Sequence, residues 1–523
     1  LQQTIVSVVL PVLPGQCPAL QDRIEAMQRA LEGEDKSFPV LKAALPTLHF
    51  MSIVIFDETA GVPPGAPAET PLMVLEANFD GAPGPFWASF EAPMGSSVRE
   101  LLRLCAPPLG APDPMFARIT APGSKAPLAP LLDRQSVFPA ASHAGNRGLS
   151  QARIQKHAAL FAAAEASLPP PAEVLAQGSM GIHAWLRAAM VPQFPWLDEP
   201  YEVPVTAADE NHDFWALFLF GLAAVACALL PWLVLGRVLH ARAATLLALA
   251  AAILSLNRLR DIGDLLTLAG RPPVPRLWVW LTRGLGVIAL LPIFVPGSGL
   301  FGWLLLMATG IVASVLVLLA ALRSRETEDL LKHPPADVTP DPVKVRALEA
   351  WEDCHLAGSD HMASLVTIKP GRFRAFLVRF GTSALALAVR YISTDGYLGS
   401  MRTIHFAHWA IVDGGRRLLF LSNFDGSWES YLDDFIEKAH AGLTLAWGNS
   451  IGFPPPRYLS LDGALQGRRF KNWARCSMTP SKFWYAAYPN LTVNQVVRMA
   501  TIARGLCAPG LSPSDAATWV KAL

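Results

Sequence analysis

The strongest constraint on the fold of this chain is a punctuation of strands and turns that occurs twice. Residues Ile404–Gly426, IHFAHWAIVDGGRRLLFLSNFDG, read as two strands joined by a tight Asp-Gly-Gly turn, followed by a helix from SWESYLDDFIEKA. Far upstream, LHFMSIVIFDE (Leu48–Glu58) leads through a Pro/Gly-rich loop into LMVLEANFDG (Leu72–Gly81). The spacing matches as well as the letters. Gly15 and His49 are 34 positions apart, as are Gly371 and His405, and His49 precedes Asp57 by 8, as His405 precedes Asp413. His49 to Asn78 is 29 positions against 18 from His405 to Asn423, and the extra 11 fall on GVPPGAPAET, where a hairpin tolerates insertion. Matched intervals over a strand, a helix and a second strand are the signature of an internal duplication.

Each region reads in the same order. In the first, strands at Thr4–Leu13, Leu48–Glu58, Leu72–Gly81 and Val137–Ala141 alternate with helices at Gln21–Leu31, Ser97–Leu104 and Leu149–Ala166. In the second, Ser364–Lys369, the hairpin Ile404–Phe424 and Lys482–Tyr488 are strands. Arg372–Tyr391, the segment after Ser427 and Val493–Leu506 are helices. This is the split βαβ order. The expected fold class is α+β: two ferredoxin-like repeats plus an inserted α-helical transmembrane bundle. The repeats occupy 1–167 and 364–523, the membrane helices 213–323, and linkers 168–212 and 324–363.

The insertion follows from hydropathy. Hydrophobic residues make up 52% of the 523 and charged ones 16%, below the roughly 25% usual in soluble domains. Phe214–Leu235 and Leu300–Leu322 are each long enough to span a hydrocarbon core of about 30 Å. Leu277–Val295 reads as a third span with Arg283 inside it. Ala243–Leu256 is either a short crossing or a helix lying in the interface. Three or four spans remain open. Pairing of the two repeats requires an even number, which places Arg258, Arg260, Arg271, Arg276, Arg323 and Arg325 inside; three spans would place every loop arginine inside but export the N-terminal region. The apolar run IVSVVLPVL is short, lacks a basic flank and contains Pro11, so it reads as a strand and not a signal peptide. The expected location is the inner (cytoplasmic) membrane, with the soluble modules facing the cytoplasm. The lipid bilayer is one partner, and a membrane protein or a further copy is the other. A net charge of +1 and the absence of a basic run argue against nucleic acid. Six scattered cysteines without a CxxC pair make no zinc or iron–sulfur motif.

Several residues could carry chemistry. His49 and His405 stand at corresponding strand starts, where an imidazole can ligate a cofactor, transfer a proton or simply bond to the backbone or a carboxylate. Strand alternation places His405 with Trp409 on one face and His408 on the other. His405, His408, Asp413 and Arg416 are the catalytic candidates; His49, His405 and Asp425 are the cofactor-binding candidates. The recurrent Asn-Phe-Asp-Gly fits a helix cap by Asp425 or Ser427, or an anion site at that helix N-terminus. Asp353, His355 and His361 are weak metal candidates whose spacing fits no named motif. Arg468, Arg469, Lys471 and Arg475, interleaved with Phe470 and Trp473, fit either acidic headgroups or a strand edge.

A tandem ferredoxin-like order over Thr4–Ala166 and Ser364–Leu506 resembles the dimeric α/β-barrel superfamily, and distantly the dye-decolorising peroxidases within it. That resemblance implies two sheets face to face and brings haem and peroxidase-like oxidoreductase chemistry into consideration. The strings SNFDG and STDG lack the first glycine of the GxxDG motif of those peroxidases, so no catalytic residue is carried over. Two readings follow. One is an accessory or structural subunit of a bacterial membrane complex, whose tandem module docks a partner. The other is a membrane-anchored oxidoreductase or lipid-modifying enzyme.

Overall fold

The computed structural model describes residues 2–33, 37–57, 69–108, 112–168, 178–238, 300–332, 338–354, 358–392 and 402–523, with a few isolated positions besides. It is a mixed α+β structure built on two main antiparallel sheets. The strands are β1 (Gln3–Pro11), β2 (Leu48–Phe56), β3 (Leu72–Asp80), β4 (Ser136–Val137), β5 (Ala141–Ala144), β6 (Ser359–Thr367), β7 (Ile404–Val412), β8 (Arg417–Asp425), the small hairpin β9 (Pro456–Arg457) and β10 (Leu461–Asp462), and β11 (Phe483–Ala486).

The first sheet has the order β11-β2-β3-β1-β4 and the second β5-β7-β8-β6. Each therefore carries a strand from the other end of the chain. Phe483–Ala486 pairs with β2, and Ala141–Ala144 pairs with β7. The stretch read as one strand around 137–141 is thus two. Ser136–Val137 stays on β1, and after Pro139 the chain crosses to the opposite sheet. The proline supplies no N–H for a continuous ladder, which is why the strand breaks there.

Three apolar layers hold the sheets. The outer face of the first sheet packs on helices α1 (Cys17–Glu32), α2 (Pro39–Ala44) and α3 (Pro83–Leu102). Helix α3 starts well before the expected Ser97, because Pro83 and Pro85 occupy its first turn, where a missing N–H costs nothing. Two short helices, α4 (Pro114–Thr120) and α5 (Ala129–Gln135), complete that side, and α6 (Gln151–Ser167) and α7 (Gly178–Met190) follow. Within the expected linker 168–212, α7 buries Ile182, His183 and Leu186 against the C-terminal helices.

Among the described residues, two helices are long and apolar enough to cross a membrane: α8 (Ala207–Val238) and α9 (Leu300–Lys332), with mean hydropathies of 2.1 over Ala207–Leu230 and 2.2 over Leu306–Lys332. Length and composition alone suggest membrane association. The expected span at 277–295 lies outside the described residues, and 243–256 is described only at isolated positions. Helix α10 (Pro342–Asp353) then leads into β6, which starts at Ser359, earlier than expected. The outer face of the second sheet is covered by α11 (Arg372–Ile392), α12 (Trp428–Trp447) and α13 (Gly467–Ser477). The chain ends with α14 (Val493–Cys507) and α15 (Pro513–Val520). Between the sheets, Val54, Phe56 and Val74 meet Leu365, Ala410 and Leu419 in a third layer.

Candidate functional site

The layer between the sheets is apolar toward the β2–β3 and β7–β8 turns and polar toward the other end of those strands. Alternation along β3 puts Leu72, Val74, Glu76 and Asn78 on one face, so a carboxylate follows two apolar residues into the interior. Glu76 is fully buried. Its Oε2 accepts hydrogen bonds from Ser52 Oγ and His361 Nε2, each at 3.0 Å, and its Oε1 accepts one from Asn78 Nδ2 at 3.0 Å. His408 Nδ1 lies 3.5 Å from Oε1, and His408 Nε2 is 2.9 Å from Ser7 Oγ. His361 Nδ1 meets Ser481 Oγ at 2.6 Å. One carboxylate thus gathers two imidazoles from the opposite sheet.

Electrostatics bias Glu76 and His408 in definite directions. Burial pushes the Glu76 carboxyl up, but the hydrogen bond and charge of His361, the charge of His408 and the Asn78 amide outweigh it and hold it at about 2. His408 is held below the ordinary imidazole range by burial, assisted by His361 and opposed by Glu76. The bonds at Glu76 thus favour its ionised form, while burial works against a charge on His408. Such a group can hold or relay a proton, but every member is sealed from solvent.

The strand-start histidines form two further clusters with one design. His49 Nε2 donates to Asp80 Oδ1 at 3.0 Å, and Asp80 Oδ2 accepts the backbone N–H of Gln151, the first residue of α6, at 2.8 Å. His405 Nε2 lies 2.7 Å from Asp425 Oδ1, and Asp425 Oδ2 accepts the N–H of Val493, the first residue of α14, at 2.8 Å. The aspartate of each Asn-Phe-Asp-Gly thus caps a distant helix, and Ser427 caps the adjacent α12. The glycines that follow, Gly81 and Gly426, have φ of 97° and 81°, which release the chain from the strand.

The other candidates are scattered. Asp413 sits eight residues from His405, just past the end of β7 and roughly 26 Å away at a strand rise of 3.3 Å per residue, and Arg416 stands beside it in the same turn. Arg416 is exposed and pairs with Asp413 at 2.8 Å; the buried arginine is Arg417, which reaches Asp413, Glu69 and the Thr70 carbonyl. Asp353 is exposed, His361 is buried at Glu76, and His355 lies outside the described residues. Among the described residues no group of three His, Cys, Asp or Glu could hold a metal ion. The basic group at 468–475 is a helix and not a strand edge. Its Arg475 pairs with Glu352 and Glu429 and lies over the Trp428 ring at 3.7 Å, and Lys471 pairs with Asp433.

A haem does not fit these residues. The His405 ring is buried beside the rings of Phe50 and Tyr488, with centroids 5.1 and 5.7 Å away. On the other side of the sheet, the cavity among Met362, Phe420, Tyr431, Trp447 and Trp473 is about 10 Å³, room for one water. A larger surface groove of about 470 Å³ runs along Gly148, Ser150, Arg153 and residues 202–207 and contains none of the candidates.

Sequence reasoning missed Glu76, although a lone carboxylate at an inward position of LMVLEANFD was a legible signal. Neither a family model, nor a curated protein, nor a solved structure matches the chain.

Proposed function

We propose that the chain is a membrane-tethered, non-catalytic subunit whose two ferredoxin-like repeats form one body that docks a membrane-protein partner on the cytoplasmic face of the inner membrane. The observation that carries this reading is where the polar residues are spent. Glu76, His361, His408 and His49 are sealed and bonded across the two halves, and His405 is sealed and bonded to Asp425 of its own half, so they lock a body together and face no substrate.

Duplication is supported by the parallel strand orders, the exchanged strands and the twin His–Asp–helix clusters. Because each sheet contains a strand of the other half, both halves belong on one side of the bilayer, which favours an even number of crossings. The tether is rigid. Helix α9 has 33 residues, about 50 Å at 1.5 Å each, longer than a hydrocarbon core of about 30 Å. Its far end is gripped by the body: Glu326 accepts the N–H groups of Tyr458 and Leu459 at 3.0 Å, and Asp329 pairs with Lys369 and Arg374 at 2.9 and 2.6 Å. Both Tyr458 and Leu459 have positive φ (49° and 63°), so the carboxylate holds a turn that these side chains disfavour.

Native mass spectrometry of the extracted full chain, with an absorption spectrum, tests the proposal. A fixed ratio to one membrane protein and only aromatic absorption are expected. A Soret band that disappears in His405→Ala would establish the haem enzyme instead.

A further inference from the structure

Helix α11 has one face that the body leaves open. Leu377, Val378, Leu385 and Val389 are buried, whereas Arg372, Phe376, Arg379, Phe380, Ser383 and Arg390 are exposed. At 3.6 residues per turn these six fall within an arc of about 100°, with the arginines along one edge and the phenylalanines along the other. The phenylalanine edge is the one beside the apolar helices. Phe380 stacks on Phe220, inside the Ala207–Leu230 window, with ring centroids 5.5 Å apart. Next to it, Leu377 packs with Leu322 of α9. Among the described residues no carboxylate pairs with Arg372, Arg379 or Arg390.

We infer that α11 lies on the bilayer surface and seats the soluble body on anionic phospholipid. Phe376 and Phe380 enter the boundary between headgroups and acyl chains beside the spanning helices, and the three arginines meet lipid phosphates. The order of the edges decides the occupant. A face that is aromatic where it touches a membrane helix, and cationic one step away, matches the polarity gradient of an anionic bilayer surface. Because α11 is also core to the second sheet, lipid charge then fixes the tilt of the whole body. The inference rests on the membrane-spanning reading proposed above.

The test uses the full chain with its native cysteines replaced and a nitroxide at Ser383→Cys, reconstituted in phosphatidylcholine with or without phosphatidylglycerol. A second label at Val497→Cys, on α14, is the control. With phosphatidylglycerol, collision of the Ser383 label with a water-soluble nickel chelate should fall on the order of fivefold, the shift that one surface arginine provides, with no change at 497. The triple variant Arg372→Gln, Arg379→Gln, Arg390→Gln should lose this lipid dependence, and the matching lysine variant should keep it. If the Ser383 label stays open to nickel in both bilayers while alkaline carbonate leaves the chain in the membrane, the inference fails and the spanning reading stands. Shielding that is equal in both bilayers and in detergent would mean a protein covers the face, which also overturns it. Release by carbonate would remove the spanning reading and the inference with it.

Discussion

Single ionisable residues set the pH window of this protein. Asp360, beside His361 on β6, is raised to about 7, chiefly by burial and also by the charge of Glu352; the N–H of His361 and the charge of Arg475 pull the other way. Between about pH 4, where an unfolded aspartate titrates, and pH 7 the folded chain holds a proton that the unfolded chain has lost. Stability therefore falls as pH rises through that window and stays low above it. Asp360→Asn should flatten this slope and raise the urea midpoint at about pH 8 relative to wild type, while leaving it little changed near pH 4. Equal slopes in the two proteins would refute the assignment. Glu76 works in the opposite sense. Held at about 2, it contributes stability above the ordinary carboxylate range that is lost as pH falls through its own value. Glu76→Gln replaces the acceptor-only carboxylate that Ser52, Asn78 and His361 donate to and should cost about 1–3 kcal/mol, read as a lower denaturant midpoint at neutral pH. A change under about 0.5 kcal/mol would place the variant among neutral surface substitutions and show that the centre is not a lock.

The decisive elements are the two short strands that change sheets. Gly145 follows β5 directly, and a Cβ there would stand 2.1 Å from the Ile404 carbonyl, a backbone atom that has no flexible end to move. Gly145→Ala should therefore push β5 off β7, with a loss of about 1–3 kcal/mol. Hydrogen exchange should report it as faster exchange at residues 141–144 and unchanged protection in β3. Local periodicity made the long strands, the hairpins and the helix stripe of Trp428, Tyr431, Leu432 and Phe435 readable, because each encodes its own buried face. The exchange was not readable. Strands of four residues carry too little pattern to declare a partner, and nothing in ASHA or FWYA says which sheet they join. The site was half visible for a related reason. Alternation sets His408 on the face opposite Trp409 without telling which face is inward, and His361 falls in the expected linker because Asp360-His361 looks too polar to begin a strand. Its partner Glu76 lies 285 positions away, a pairing that only the tertiary fold creates.

At the scale of the molecule, these exchanges make the two halves a single folding unit interrupted by apolar helices. Each half completes its sheet with a strand of the other, the apolar layer between the sheets has one wall from each, and Ser7–His408 and Glu76–His361 close its polar end. A half expressed alone would expose an unpaired strand edge and one whole face of its sheet, both strong routes to aggregation. The apolar helices are then a covalent link between two pieces that already hold each other. Fragments 1–205 and 338–523, produced together without the intervening helices, should co-purify as a one-to-one complex. Each alone should be insoluble or largely unfolded by circular dichroism. Glu76→Gln in the first fragment should weaken the complex, since it disturbs the contacts of Glu76 with His361 and His408 across the join. Two independently soluble, cooperatively folding fragments would contradict a shared core and return the halves to the status of separate domains.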